Sequence, residues 1–180
     1  MRRLLLLRHA KTETDAPSGH DQDRRLDDRG RRDAAEMGGW IGRHPPFPDR
    51  VLVSPAVRAA QTWEIAREAM QGLAPQPSVE FLPELYGADP TQLLTTIRMA
   101  SATDPKRLML VGHNPGMHEL ALTLTGSGDE AARKALRDNL PTSGLAVFDF
   151  ATDDWNEVSF RRGKLILFVS PKLLRQSSHD

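Results

Sequence analysis

The sequence contains no cysteine. A disulfide framework, a thiolate zinc site and a cysteine nucleophile are therefore excluded, and the absence fits a reducing compartment. It also has no excess charge of either sign: Lys+Arg and Asp+Glu both total 24. Wholesale electrostatic binding to nucleic acid is not expected of such a chain, although a balanced total leaves room for a local basic pocket. Long apolar runs are missing as well. The start, Met1-Arg2-Arg3 and then Leu4 to Leu7, has the look of a secretory leader. Its apolar run stops after four leucines, at Arg8-His9, where a leader core needs about seven to fifteen apolar residues. Nothing approaches the roughly 20 apolar residues of a membrane span. A protein without membrane contact, acting in the cytoplasm, is the expectation. No internal repeat or low-complexity block is present, and the histidines form no HExxH-like ligand motif, so no metal site is expected.

A chain of 180 residues is long enough for one domain with its own core. Residues 1–175 are assigned to that domain and residues 176–180 to a frayed tail. Three segments share one pattern of short apolar run, polar turn and helical stretch. The runs are Leu4 to Leu7, Val51 to Val53 and Leu108 to Val111, continuous as in strands buried on both faces. Ser54-Pro55, Asn114-Pro115 and Asp89-Pro90 each read as an N-cap followed by proline at the first helical position. Gln92 is placed to complete a capping box with Asp89. Helices are predicted over about 55–71, 90–100 and 115–124. An earlier one spans about 28–41, weakened late by Gly38-Gly39, and 43–48 is loop. Further strands are expected at 145–150, 158–160 and 165–169, the first two joined in a hairpin through Thr152-Asp153-Asp154. The fold class is α/β, a three-layer α/β/α sandwich with a mixed, mostly parallel central sheet.

In such a sheet the site lies beyond the carboxyl ends of the strands. Arg8, His9 and Lys11 follow the first run, Ser54 and Arg58 the second, and Gly112 and His113 the third. Two histidines, two arginines and a lysine suit a phosphate. Guanidinium groups grip its oxygens in pairs, and helix N-termini favour anions. A neutral imidazole can attack phosphorus, and adjacent arginines disfavour its protonation. His20, His44, His118 and His179 have no such context.

At these residues the chain resembles the histidine phosphatase, or phosphoglycerate-mutase-like, superfamily. Its Arg-His-Gly hallmark stands here as Arg8-His9-Ala10. Its Ser-Pro-x-x-Arg-x-x-Gln-Thr motif runs from Ser54 to Thr62, and its Gly-His motif is Gly112-His113. Arg-His-Ala-Lys, Asp23 to Leu26 with Gly30, Leu85 to Pro90, Pro141-Thr142 and 163–172 resemble the SixA-type phosphohistidine phosphatases. The resemblance implies that His9 is the nucleophile and that Arg8, Arg58 and His113 complete a phosphate pocket, with Lys11 adding charge beside it. It also implies a metal-independent, cofactor-free phosphatase acting on phosphohistidine protein or a small phosphate ester. Glu84 is the candidate general acid. It precedes Gly87 by three residues where many relatives have four, and Glu13 and Asp23 are alternatives. A non-catalytic module recognising phosphorylated protein is a rival reading. A phosphoglycerate mutase is another, against which the short chain argues. The simplest assembly is a monomer.

Overall fold

The computed structural model describes residues 1–70 and 75–177. Its elements in chain order are β1 (Arg2–Arg8), α1 (Asp28–Gly42), β2 (Arg50–Val53), α2 (Val57–Ala69), β3 (Ser78–Phe81), α3 (Pro90–Met99), β4 (Arg107–Gly112), α4 (Gly116–Leu124), β5 (Thr125–Gly128), α5 (Glu130–Asp138), β6 (Leu145–Phe150), β7 (Gly163–Val169) and α6 (Pro171–Ser177). The strands form one sheet in the order β3-β2-β4-β1-β6-β7-β5. Among the described strands only β6 runs against the rest, pairing antiparallel with β1 and β7. The expected mixed, mostly parallel sheet is what forms.

The continuous leucines of β1 follow from its central place. Leu4 and Leu6 point into a core with Leu93 and Ile97 of α3 and Met117 and Leu120 of α4. Leu5 and Leu7 point the other way, towards Met37 and Ile41 of α1 and Trp63 of α2. With helices on both faces, the period-two alternation of a half-buried strand vanishes. Among the described residues, no helix is long and apolar enough to cross a membrane.

The predicted capping box at Asp89 and Gln92 is present in full. Helix α1 runs through its glycine pair, because Gly38 is needed there: a Cβ would lie 2.3 Å from the Ala66 carbonyl oxygen of α2. The other two proline turns depart from expectation. Helices α2 and α4 start at Val57 and Gly116, with Ala56 and Pro115 in the N-cap places. Ser54 and Asn114 are thereby released for other bonds. The predicted end of α2 at Gln71 lies outside the described residues.

The C-terminal hairpin is also corrected. Residues 158–160 form no strand, and the strand that follows β6 in the chain and pairs antiparallel with it is β7. The connection between them is pinned by Trp155, fully buried, whose indole nitrogen donates to the Pro105 carbonyl. Val158 is buried as part of that plug, so its apolar character reports packing and not a ladder. Strands β3 and β5 and helices α5 and α6 were not anticipated. All four residues of β3 are exposed, and β5 reads Thr-Gly-Ser-Gly. Val79 and Phe81 do alternate with polar residues in β3, but over four positions only and with both exposed, and β5 has no apolar side chain to show a period. Helix α6 includes Gln176 and Ser177, which the sequence reading puts in the tail.

Candidate active site

The parallel register sets Arg8 opposite Gly112, and Val53 opposite Val111. The residues that follow β1, β2 and β4 therefore meet at one edge of the sheet. His9 donates its backbone N–H to the Gly112 carbonyl (3.0 Å). Its ring centroid stands 5.3 Å from that of His113. His9 and Arg58 are buried, at 7% and 5% exposure.

Each imidazole is held by one nitrogen. His9 Nδ1 lies 2.7 Å from the Ala10 carbonyl oxygen. A carbonyl only accepts, so Nδ1 carries the proton and Nε2 keeps its lone pair. His113 Nε2 lies 2.6 Å from Ser54 Oγ. That hydroxyl already accepts from the Ala56 N–H (3.3 Å), and among the described residues its hydrogen has no other acceptor. Donation to Nε2 follows, which puts the His113 proton on Nδ1. His113 Nδ1, Arg8 Nε and Arg58 Nε are buried with no hydrogen-bond partner among the described residues. Three buried donors without partners, two of them on cations, are complementary to an anion.

Both rings are neutral near pH 7. Burial pushes the His9 pKa down to about 3, against the Ala10 hydrogen bond, which raises it. His113, Arg8 and Arg58 add smaller downward contributions. Burial likewise lowers His113 to about 4, with Arg58 next in weight. The sequence reading credited the arginines with keeping His9 unprotonated. Desolvation does more of it.

Arg8 is anchored by Nη1 donating to the Leu140 carbonyl (3.1 Å). Behind it Ser143 adopts a left-handed φ of 61° and donates its N–H to the Arg8 and His9 carbonyls. Arg58 is anchored differently. Residues 12–26 form an arm closed at its base by a bridge between Thr12 and Leu26. Asp21, near its tip, accepts from Arg58 with both its backbone carbonyl and its carboxylate. Tyr86 donates to the same carboxylate and packs edge-on to His113 at 5.5 Å.

The four core residues named from sequence, Arg8, His9, Arg58 and His113, thus come together. The others do not join them. Lys11 directs its ammonium to Asp27 (2.8 Å). Glu84 lines a cavity of about 410 Å³ with Arg50, Glu80 and Met99, whose walls include none of the four core residues. Glu13 pairs with Arg25, and Asp23 accepts from Ser18. His118 bonds the Leu136 carbonyl and His44 stacks on Trp40; His179 lies outside the described residues. A separate cavity of about 150 Å³ beside His113 is lined by Asp89 and Glu119. Sequence reasoning missed Asp21 and Tyr86 and misread Ser54 as a helix cap.

A three-layer α/β protein that gathers two neutral imidazoles and two guanidinium groups at the parallel edge of its sheet has the equipment of a phosphoryl-transfer site. A model of the histidine phosphatase superfamily (branch 1) matches residues 4–89. An uncharacterised Mycobacterium leprae protein is 33% identical over 172 residues, covering 92% of this chain and all of that one. The structure of an Agrobacterium tumefaciens protein assigned as the phosphohistidine phosphatase SixA is 32% identical, with a TM-score of 0.75 over 94% of this chain and 99% of that one. A Nakamurella multipartitia structure with the same assignment is 26% identical, with a TM-score of 0.80 over 94% and 96%. The chain belongs to the histidine phosphatase superfamily.

Proposed function

We propose that this chain is a phosphohistidine phosphatase that transfers the phosphoryl group of a phosphorylated protein to His9 and then to water. The observation that carries the reading is the fixed protonation of His9. Its Nδ1–H is committed to Ala10, so a neutral Nε2 remains as nucleophile beneath two cations. In the first step Nε2 forms a bond to phosphorus while the bond from phosphorus to the substrate nitrogen breaks. The departing imidazole keeps the electron pair and takes a proton from solvent. In the second step water attacks phosphorus, releases inorganic phosphate and returns His9 to its neutral form. Arg8 and Arg58 neutralise the equatorial oxygens, and His113 donates Nδ1–H to one of them.

The choice of phosphohistidine as substrate is supported by the candidate acids named from sequence. None of Glu84, Glu13 and Asp23 joins the four core residues. A P–N bond to imidazole cleaves with less help from an acid than an alkyl ester does, so phosphohistidine suits such a site better. The names given to the Agrobacterium and Nakamurella neighbours support the same class. A small phosphomonoester with a good leaving group would turn over by the same route. Carboxylates of Asp89 and Glu119 beside His113 repel a second phosphate or carboxylate, which disfavours a phosphoglycerate mutase. The reading is of a cytoplasmic monomer, residues 1–175 making the working domain, that needs no metal and binds no nucleic acid.

The test is rapid quench with labelled phosphohistidine protein, beside a kcat/KM panel of aryl phosphate, sugar phosphates and nucleotides. An acid-labile, base-stable phosphoryl-enzyme absent from His9→Ala is expected, with phosphohistidine protein the preferred substrate. Binding without turnover would make the chain a recognition module. Loss of activity in EDTA, restored by a divalent ion, would make it a metallophosphatase.

A further inference from the structure

Arg58 is the second residue of α2, and one edge of its guanidinium is already taken. Nη1 donates to the Asp21 carbonyl oxygen (2.8 Å) and Nη2 to Asp21 Oδ2 (2.9 Å). A guanidinium presents two forks: end-on, from the two terminal nitrogens, and side-on, from Nε–H and the outer hydrogen of Nη2. Asp21 occupies the end-on fork. The side-on fork contains Nε, which is buried without a partner among the described residues. An anion entering the site therefore meets Arg58 through that edge.

Asp21 is itself held from several sides. The Tyr86 hydroxyl donates to Oδ2, and Arg24 Nε donates to Oδ1 (2.9 Å). Arg24 Nη1 in turn donates to Thr12 Oγ1 (2.7 Å) at the base of the arm. The Arg58 guanidinium carbon lies 5.8 Å from the Tyr86 ring centroid. The Tyr86 hydrogen bond, with those from Arg24 and Arg58, holds the Asp21 carboxyl below the usual carboxylate range, so it is charged at any working pH.

We propose that Asp21 is a positioning residue for Arg58: it engages the end-on fork and so turns the Nε–Nη2 edge towards the phosphate. The grip on the phosphate is then set by the arm of residues 12–26 and not by α2 alone. The inference rests on the phosphate pocket proposed above. It makes a prediction opposite in sign to simple charge repulsion. A carboxylate near a bound phosphate disfavours it, so deleting the charge would tighten anion binding if repulsion dominated. The Asp21 side chain is 51% exposed, where solvent screens that repulsion. The misdirected fork is the larger loss.

Vanadate inhibition and kcat/KM for an aryl phosphate, in wild type and in single and double variants, decide the matter. Asp21→Ala is expected to weaken vanadate inhibition and lower kcat/KM by ~10-fold, the loss falling mainly on KM. Asp21→Asn is expected to keep most of the function, because its amide oxygen still accepts from Nη2. In an Arg58→Lys background, Asp21→Ala is expected to cost less than ~2-fold, because an ammonium has no fork to aim. Unchanged or tighter vanadate inhibition in Asp21→Ala, or equal losses in both backgrounds, would overturn the proposal. Because Asp21→Asn preserves the shape of the turn, its full loss of function alongside Asp21→Ala would also count against it. Wild-type protein that vanadate does not inhibit would overturn the phosphate pocket itself, and the role of Asp21 with it.

Discussion

Arg8 leaves the end of a central strand, and its guanidinium is tied to a backbone carbonyl of the segment leading into β6. Arg58 leaves the first turn of a helix and is tied to Asp21, on an exposed arm. The floor of the site, comprising Arg8, His9, Ser54 and His113, rests on buried backbone at strand ends. The arm hangs on side-chain bonds of residues half open to water. A floor of this kind loses function stepwise when a single atom is removed, because no solvent is there to substitute. An arm loses it gradually, because water and alternative rotamers compete with each bond.

The largest losses are expected at the floor. His9→Ala is expected to reduce turnover at least ~10³-fold and to abolish the phosphoryl-enzyme, as measured by stopped assays and acid-quench labelling. Full activity in that variant would end the mechanism. Ser54→Ala removes the hydroxyl that sets the His113 tautomer. It is expected to cost ~10²-fold in kcat/KM, the cost of one misdirected donor to a developing charge, with vanadate inhibition weakened in parallel. An unchanged kcat/KM would mean that His113 does not donate through Nδ1. Arg58→Lys keeps the charge and loses the planar fork; ~10-fold in kcat/KM, about 1.4 kcal/mol, is expected. If lysine serves as well, geometry on the arm side does not matter.

A smaller effect separates the regions by pH. In the unfolded chain both floor imidazoles take a proton near pH 6.5, whereas folded His113 and His9 resist to about 4 and about 3. Below 6.5 the unfolded state binds more protons, so stability falls progressively with pH, His113 contributing from 6.5 to about 4 and His9 from 6.5 to about 3, and neither above 6.5. The fall in Tm over that window is expected to be shallower in His9→Gln and His113→Gln than in wild type. Parallel curves would show the rings to be better solvated than their burial implies. The smallest effect is expected at Glu84→Gln. Aryl phosphate, alkyl phosphate and phosphohistidine should all turn over within ~2-fold of wild type, because Glu84 lines another cavity. A selective loss on the alkyl ester would restore Glu84 as general acid.

Arg58 was legible in sequence only because it sits within Ser54 to Thr62; taken alone, an arginine on an alanine-rich helix reads as surface. Ser54 was visible but assigned the wrong bond, since a serine before proline matches a cap and its true partner lies 59 positions away. Asp21 carried no local sign at all. Its tie to Arg58 spans 37 positions and arises only when the arm folds back over α2.

The leucine run of β1, the apolar runs of β2 and β4, and the polar residues that follow each were sufficient to imply a buried parallel sheet with histidines and arginines at one edge. Burial pattern and strand-end position are short-range properties, written in neighbouring residues. Which nitrogen of His113 bears the proton, and which edge of Arg58 is free, belong to tertiary structure. Both depend on the direction of single hydrogen bonds to Ser54 and Asp21, and a hydrogen bond weakens steeply with misalignment. Only the packed strands and the closed arm bring those partners into line.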